Sequence, residues 1–215
     1  MIAMFQKECS QNIQTKPKSD IKMENAETKN SPKLEVSISA DEKTLTLEYK
    51  VKNTTNKPIY LFNILWDMDK DGKAFRAKES VYSCLRDDQT LFLGKQIAKL
   101  PMIASVEFRE IPYVTKLEAG KEFAEKIKID IPVEEYSPYF LKATDAKTEL
   151  KSSENVIFAL QFISDVEGLK MSPTTIENAF TVSHPNLFTN VETLTSKSRE
   201  LSVTVNRRTS DFERF

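Results

Sequence analysis

Apolar and polar side chains alternate with a period of two along several short segments of the chain. In LEVSIS, Leu34, Val36 and Ile38 lie on one side and polar residues on the other, and LTLEYKV repeats this pattern. A period of two is typical of a β-strand that buries one face. The segments that follow them, ADEK and NTTNKP, are rich in turn-forming residues. The pattern therefore predicts two strands, over 34–39 and 45–51.

Further segments also have the composition of strands. PIYLFNILW, which begins at Pro58, is apolar, aromatic and β-branched almost throughout, so it predicts a strand buried on both faces. SVYSCLR and TLFLG, joined by DDQ, predict a hairpin. In KLEAGKEF, Gly120 stands where a turn requires a positive φ angle. Alternation or apolar runs predict the remaining strands in SVEFREI, KIKIDI, VIFALQFI, AFTV and ELSVTV.

The spacing of these segments predicts the fold class. Turn signals recur roughly every 8–12 residues, which is typical of an antiparallel sandwich. Since no segment has a sustained helical period and no β–α–β alternation occurs, we expect an all-β, antiparallel immunoglobulin-like β-sandwich of roughly nine to eleven strands over residues 34–206. The polar, aperiodic residues 1–33 predict a disordered N-terminal tail, and 207–215 predict a frayed C-terminal tail. The polar insert Lys142–Asn155 predicts a long loop.

Composition limits the chemistry that the chain can perform. Lys and Arg number 31 and Asp and Glu 32, so the chain lacks the basic excess typical of nucleic-acid binding. The 4 glycines are scattered singly, which excludes glycine-rich phosphate loops, and we expect no cofactor. No run of about 18 apolar residues occurs, so we expect no transmembrane segment. Cys9 and Cys84 predict two free thiols.

The segment DMDKDGKAF begins like an EF-hand calcium loop. Asp67, Asp69 and Asp71 stand at alternate positions before Gly72, as the first ligands of such a loop do. However, Lys78 stands where the loop requires a bidentate glutamate, and the preceding segment predicts a strand. An acidic turn between two strands explains the same residues. Both interpretations stay open, and a metal site would make weak calcium binding or metal-dependent hydrolysis an alternative function.

His184 is the only histidine of the chain. A catalytic triad, or a zinc site with a nitrogen ligand, would have to use this one residue, and no GxSxG segment accompanies it. A histidine in a surface loop is the simpler interpretation. The sequence therefore predicts no catalytic residue and a protein that is not an enzyme.

The segment EEYSPYF carries the most suggestive aromatic residues. Pro132 and Pro138 stiffen the backbone around Tyr136, Tyr139 and Phe140. Aromatic side chains exposed on a rigid loop bind partners well, because they offer a large contact area at little entropic cost. We therefore predict a partner-binding surface here; the alternative is that these residues close one end of the sandwich core. The expected partner is a protein or peptide, bound by loops or by an edge strand.

Three passages resemble known sequences. LTLEYKVKNTTNKPIYLFN, IPYVTKLEAGKEF and IDIPVEEYSPYF, which lie within about residues 44–140, resemble segments of uncharacterised bacterial immunoglobulin-like β-sandwich proteins. That resemblance implies the fold and no activity. VKNTTNKPIYL also resembles the intracellular proteinase inhibitor modules of bacilli, which implies protease inhibition as a second alternative function. A polar tail before a β-domain is typical of tethered envelope or periplasmic proteins and also occurs in cytoplasmic ones.

Overall fold

Strands account for most of the regular structure. The computed structural model describes residues 31–100, 109–140 and 147–209, and this part of the chain is all-β with one short helix, α1 (Leu187–Asn190). No helix in it has the length and apolarity that crossing a membrane requires. The strands are β1 (Lys33–Ala40), β2 (Thr44–Lys52), β3 (Ile59–Ile64), β4 (Trp66–Met68), β5 (Ala74–Arg76), β6 (Tyr82–Leu85), β7 (Thr90–Lys95), β8 (Tyr113–Leu117), β9 (Glu122–Asp130), β10 (Val133–Glu134), β11 (Thr148–Ser152), β12 (Asn155–Ser164), β13 (Lys170–Pro173), β14 (Phe180–Ser183), β15 (Val191–Thr195), β16 (Arg199–Glu200) and β17 (Thr204–Arg208).

The strands form three sheets and one separate hairpin. The front sheet has the order β1-β2-β9, and the small sheet has the order β10-β17-β11. The large sheet runs β13-β14-β8-β3-β12-β7-β6, with β15 and β16 also paired to β12, and it curls like half a barrel. Strands β4 and β5 pair only with each other among the described strands.

The main hydrophobic core lies between the front sheet and the large sheet. Alternation along β2 turns Leu45, Leu47 and Tyr49 towards the core, and all three are buried. Leu61 and Phe158 pack into the same cluster from the large sheet. The layered, one-face-buried arrangement predicted from the period of two is confirmed for β2.

Strand β3 is buried on both faces, as its composition predicts. All six of its residues are buried. Ile59 and Leu61 face the main core, whereas Tyr60 and Phe62 belong to a second cluster on the other face of the large sheet. A third, smaller cluster contains Leu65, Tyr82 and Ala98, and partly buried aromatic residues pack against it.

Two features of the predicted architecture are wrong. The sheets are not purely antiparallel, because β7 pairs with β12 and β10 pairs with β17 in parallel. The long chain segments between these partners supply the crossover that parallel pairing needs. The described residues also contain seventeen strands rather than nine to eleven, since many are only two to five residues long and show no readable period.

Three predicted segment boundaries also differ from the structure. Part of the predicted loop 142–155 is strand β11, which is exposed along its whole length and is held by pairing with β17. Strand β17 continues two residues beyond the predicted end at 206. Residues 109–111 are irregular rather than extended, and β8 begins only after Pro112, which lacks the N–H needed for a ladder bond.

Several predictions fall on residues outside the described ranges. They are most of the N-terminal tail with Cys9 (1–30), the first part of the strand predicted from SVEFREI (105–108), part of the predicted loop (142–146) and the end of the predicted C-terminal tail (210–215).

Candidate binding cleft

The acidic segment Asp67–Asp71 forms the end of β4 and a turn. The Asp69 carboxylate accepts the backbone N–H groups of Asp71 (2.9 Å) and Lys73 (2.8 Å), and Gly72 has the positive φ of +77° that the tight turn requires. The acidic turn between two strands is therefore confirmed. Within the described residues, no group of three or more acidic, histidine or cysteine side chains is arranged to hold a metal ion. Metal binding by the three aspartates stays a prediction.

His184 stabilises the loop around helix α1. Its Nδ1 accepts the backbone N–H of Asn186 (3.0 Å) and lies 3.2 Å from the Asn190 amide nitrogen. Its Nε2 lies 3.2 Å from the carbonyl oxygen of Glu167. These neighbours are backbone and amide groups, as expected for a structural loop histidine.

The aromatic loop Tyr136–Phe140 lies between the third cluster and an open cleft. Tyr136 exchanges two backbone hydrogen bonds of 3.0 Å with Ser83, and its ring lies 5.8 Å from the ring of Tyr82. The Tyr139 hydroxyl accepts the backbone N–H of Glu110 (3.0 Å). All three predicted aromatic residues are half-buried, so each packs against the fold and keeps part of its surface in water. Their role in partner binding stays a prediction.

The cleft beside this loop has a volume of about 630 Å³. Tyr136 and Phe140 line it together with Trp66 from the start of β4. The guanidinium group of Arg208 lies over the ring of Phe140 at 4.9 Å, and Trp66 stacks on Tyr113 with ring centroids 5.1 Å apart. Three aromatic side chains, those of Trp66, Tyr136 and Phe140, therefore contribute to the cleft wall.

Negative charge predominates in the cleft. Among the described lining residues one guanidinium group, that of Arg208, faces five carboxylates, which belong to Asp67, Glu79, Glu110, Glu134 and Glu135. No acidic stretch of the sequence predicts this grouping, because the five residues come from four separate segments that meet only in the fold.

Two ionisable groups in the cleft show the effect of its burial and charge. Burial, and secondarily the neighbouring carboxylate of Asp67, raises the pKa of Glu110. Burial also raises the pKa of the Tyr136 hydroxyl to about 12, with further contributions from Glu79, Glu110 and Asp67. Both shifts indicate that the cleft disfavours additional negative charge.

Two of the cleft carboxylates bond to the protein itself. Glu135, only 5% exposed, accepts the backbone N–H groups of Leu85 (2.7 Å) and Arg208 (2.6 Å), so it links β6 to β17. The carboxylate of Glu134 accepts bonds from the Asn206 amide nitrogen at both of its oxygens. Within the described ranges, by contrast, neither Glu79 nor Glu110 forms an ion pair.

A second polar group lies between the front and large sheets. Lys95, 2% exposed, donates to the Asn63 carbonyl (2.6 Å) and to the Glu125 carboxylate (3.0 Å). The Tyr49 hydroxyl donates to the same carboxylate. Burial lowers the pKa of Lys95, and Glu125 opposes that shift. We call these four residues the interlayer bridge; sequence reasoning missed it because its members lie far apart in the chain.

The cleft offers a combination of groups suited to binding a cation. Carboxylates bond strongly to ammonium and guanidinium groups, and aromatic faces attract the same cations.

No protein-family model, curated protein or solved structure matches the chain. The resemblances carried by the short sequence passages therefore stay predictions, and the geometry of the molecule itself has to support any proposal about its function.

Proposed function

We propose that this protein is a non-enzymatic binding module of the immunoglobulin-like β-sandwich type, which captures a cationic segment of a protein or peptide in its acidic, aromatic-lined cleft. The observation that carries the proposal is that five carboxylates and one guanidinium group line a space of about 630 Å³, and that two of these carboxylates, Glu79 and Glu110, form no ion pair within the described residues. The aromatic loop Tyr136–Phe140 supplies two of the aromatic residues that line the cleft.

The fold leaves the negative charge of Glu79 and Glu110 without an ion pair among the described residues. Carboxylates held close together repel one another, and partial burial strengthens that repulsion. The pKa of Glu110 is raised first by burial and second by the neighbouring carboxylate of Asp67. A lysine or arginine side chain entering the cleft would relieve the repulsion and contact the faces of Trp66 and Tyr136.

The shape of the cleft also favours ligand capture over protease inhibition. The inhibitor modules that the sequence resembles act by presenting loops. The cleft is concave and holds its aromatic residues half-buried in its walls. Such a surface is suited to receiving a side chain.

Isothermal titration calorimetry with defined peptides tests this function. The probe is a short acetylated and amidated peptide that alternates lysine and valine, and the comparison peptide alternates glutamate and valine. We expect the lysine peptide to bind and the glutamate peptide to give no heat. Substituting Glu79→Gln and Glu110→Gln together should weaken binding about tenfold, because two uncompensated charges are removed.

A matched control separates the cleft from the overall charge of the protein. The double variant Glu42→Gln/Glu177→Gln removes the same number of charges from exposed residues that do not line the cleft. It should bind the lysine peptide as the unmodified protein does. Equal losses in the two double variants would show general electrostatic attraction and would contradict the proposed function.

A further inference from the structure

We infer that the cationic ligand is an extended peptide that pairs with the free edge of β11 as an additional strand of the small sheet and places alternate side chains over the cleft. This inference rests on the proposed function, since it names the form of the ligand and the way it is held. Three observations carry it. They are which backbone groups of β11 point to its free edge, which of its side chains lie on the cleft face, and the negative charge of the cleft.

The outer edge of β11 is open among the described residues. The order β10-β17-β11 leaves one side of β11 without a strand partner in that part of the chain, and all five of its residues are exposed. An edge strand of this kind presents backbone N–H and C=O groups that can pair with a further strand.

The hydrogen bonds that flank β11 show which backbone groups point outwards. The N–H of Thr209 donates to the carbonyl of Lys147 (2.8 Å), and the N–H of Ser153 donates to the carbonyl of Val203 (2.9 Å). These two pairs continue the antiparallel register of β11 with β17. Bonded and non-bonded pairs alternate in an antiparallel ladder, so the odd-numbered residues of this stretch bond to β17.

The even-numbered residues therefore direct their N–H and C=O groups to the free edge. These residues are Thr148, Leu150 and Ser152. A peptide lying along this edge could pair with all of their backbone donors and acceptors. Such pairing selects an extended backbone without selecting a sequence.

The same residues also direct their side chains to the cleft face of the small sheet. Thr148 pairs with Arg208, and Leu150 pairs with Asn206, which in turn pairs with Glu134. Thr148, Arg208, Asn206 and Glu134 all line the cleft, and paired residues share one face of a sheet. The Leu150 side chain, 66% exposed, thus offers an apolar contact beside the acidic surface.

The geometry fixes a pattern for the ligand. A strand added to β11 lies about 4.8 Å from it, and its successive side chains alternate between the two faces. A lysine or arginine on the cleft face can lay its aliphatic stem against Leu150 and direct its charged end towards the cleft. The preferred ligand is therefore an extended peptide with long basic side chains at alternate positions.

Hydrogen exchange in the unmodified protein tests the pairing directly. We expect the alternating lysine and valine peptide to slow exchange at the amides of Thr148, Leu150 and Ser152. Exchange at Glu149 and Lys151, whose amides already bond to β17, should change much less. Peptide binding that leaves exchange at the three outward amides unchanged would overturn the strand pairing, and no binding of the peptide would overturn both proposals.

A pair of variants at one position separates the backbone from the side chain. Leu150→Pro removes the outward N–H and leaves the bonds between β11 and β17 in place, which is tolerated at the free side of an edge strand. We expect it to weaken peptide binding about tenfold, whereas Leu150→Ala, which keeps the N–H, should weaken it less. A peptide of the same composition with its lysines in one block should also bind less tightly.

These outcomes distinguish the inference from the function beneath it. In one outcome, Leu150→Pro binds the alternating peptide, and the unmodified protein binds the block peptide, as tightly as the unmodified protein binds the alternating peptide. If Glu79→Gln/Glu110→Gln loses binding at the same time, the cleft binds cations and strand pairing is wrong. If the proline and glutamine variants both weaken binding, both proposals are supported. Circular dichroism of each variant confirms that the β fold is kept.

Discussion

The interlayer bridge and the cleft differ in how far the protein itself compensates the charge of their ionised side chains. Between the sheets, the buried ammonium group of Lys95 bonds to the Glu125 carboxylate and to a backbone carbonyl, and Tyr49 bonds to the same carboxylate. In the cleft, five carboxylates face one guanidinium group. The first arrangement compensates its charge internally, whereas the second leaves negative charge available to an external cation.

The difference shows which polar group serves the fold and which serves binding. A buried charge without a partner is strongly destabilising, so the bridge has to be nearly complete within the protein. Its one unpartnered buried side-chain atom is Oδ1 of Asn63, which is 3% exposed. The cleft is open to water, so the cost of leaving Glu79 and Glu110 without an ion pair among the described residues is small enough for the fold to retain them.

Breaking the bridge should give the largest loss of stability. Lys95→Met leaves the Glu125 carboxylate facing the core without its cation, so we expect a loss of about 3 kcal/mol in the free energy of unfolding. Urea denaturation followed by circular dichroism measures it. The double variant Lys95→Met/Glu125→Gln should recover part of the loss, because it also removes the unpaired charge. A loss below about 0.5 kcal/mol in the single variant would show that the bridge carries little of the stability.

Removing the structural carboxylate of the cleft should cost less. Glu135→Ala deprives the backbone N–H groups of Leu85 and Arg208 of their acceptor, which we expect to cost about 2 kcal/mol. Glu134→Ala is the matched control, since the Glu134 side chain is exposed and its carboxylate bonds only to the Asn206 amide among the contacts described. The variant keeps the backbone carbonyl that accepts from Ser83, and it should cost about 0.5 kcal/mol or less. Equal effects in a denaturation experiment would mean that Glu135 does not hold the cleft wall.

The periodic parts of the fold could be predicted from the sequence, and the meeting of distant residues could not. The alternation of Leu45, Leu47 and Tyr49 and the apolar run of β3 report burial directly. Strand β11 has no such pattern, because pairing with β17 rather than burial holds it. Sequence reasoning therefore placed it in a loop.

The candidate site could be predicted only in part, because most of its residues are distant in the chain and meet only in the fold. The prolines around the loop Tyr136–Phe140 single out its aromatic residues in the sequence, but the sequence does not show which residues surround them. Glu79 and Glu110 carry no local signal, and they meet Asp67 only because separate segments converge at one end of the layers. Lys95 and Glu125 likewise come together only when the two sheets stack.

Neutralising one cleft carboxylate should slightly stabilise the protein. The folded pKa of Glu110 is raised, so the folded protein keeps this proton to a higher pH than the unfolded chain does. Its contribution to stability therefore falls as the pH rises from the ordinary glutamate pKa through the raised value, and stays reduced at neutral pH.

The variant Glu110→Gln lacks this ionisable carboxyl group, so it should not show this fall in stability with rising pH. We expect a gain below about 1 kcal/mol at neutral pH, because the side chain is only half-buried and water screens its charge. No gain should remain below the ordinary glutamate pKa. Urea denaturation at both pH values, with Glu42→Gln as the control, measures this. A loss of stability at neutral pH would contradict the view that the cleft retains unfavourable charge.

Added salt should produce the smallest effect and should separate the two regions. We expect raising the ionic strength to weaken binding of the lysine and valine peptide severalfold, because the cleft charges are open to solvent. The stability contributed by the interlayer bridge should change much less, since Lys95 is buried. Calorimetry and denaturation at low and high salt compare the two.

The pKa of the Glu110 carboxyl group, measured by NMR with and without the lysine and valine peptide, tests the central claim most directly. The account predicts a raised pKa in the free protein and a clear fall when the peptide binds, because the ligand cation stabilises the ionised carboxylate. A pKa that stays the same while the peptide is bound would show that the cation lies elsewhere and would contradict the claim that the cleft receives it.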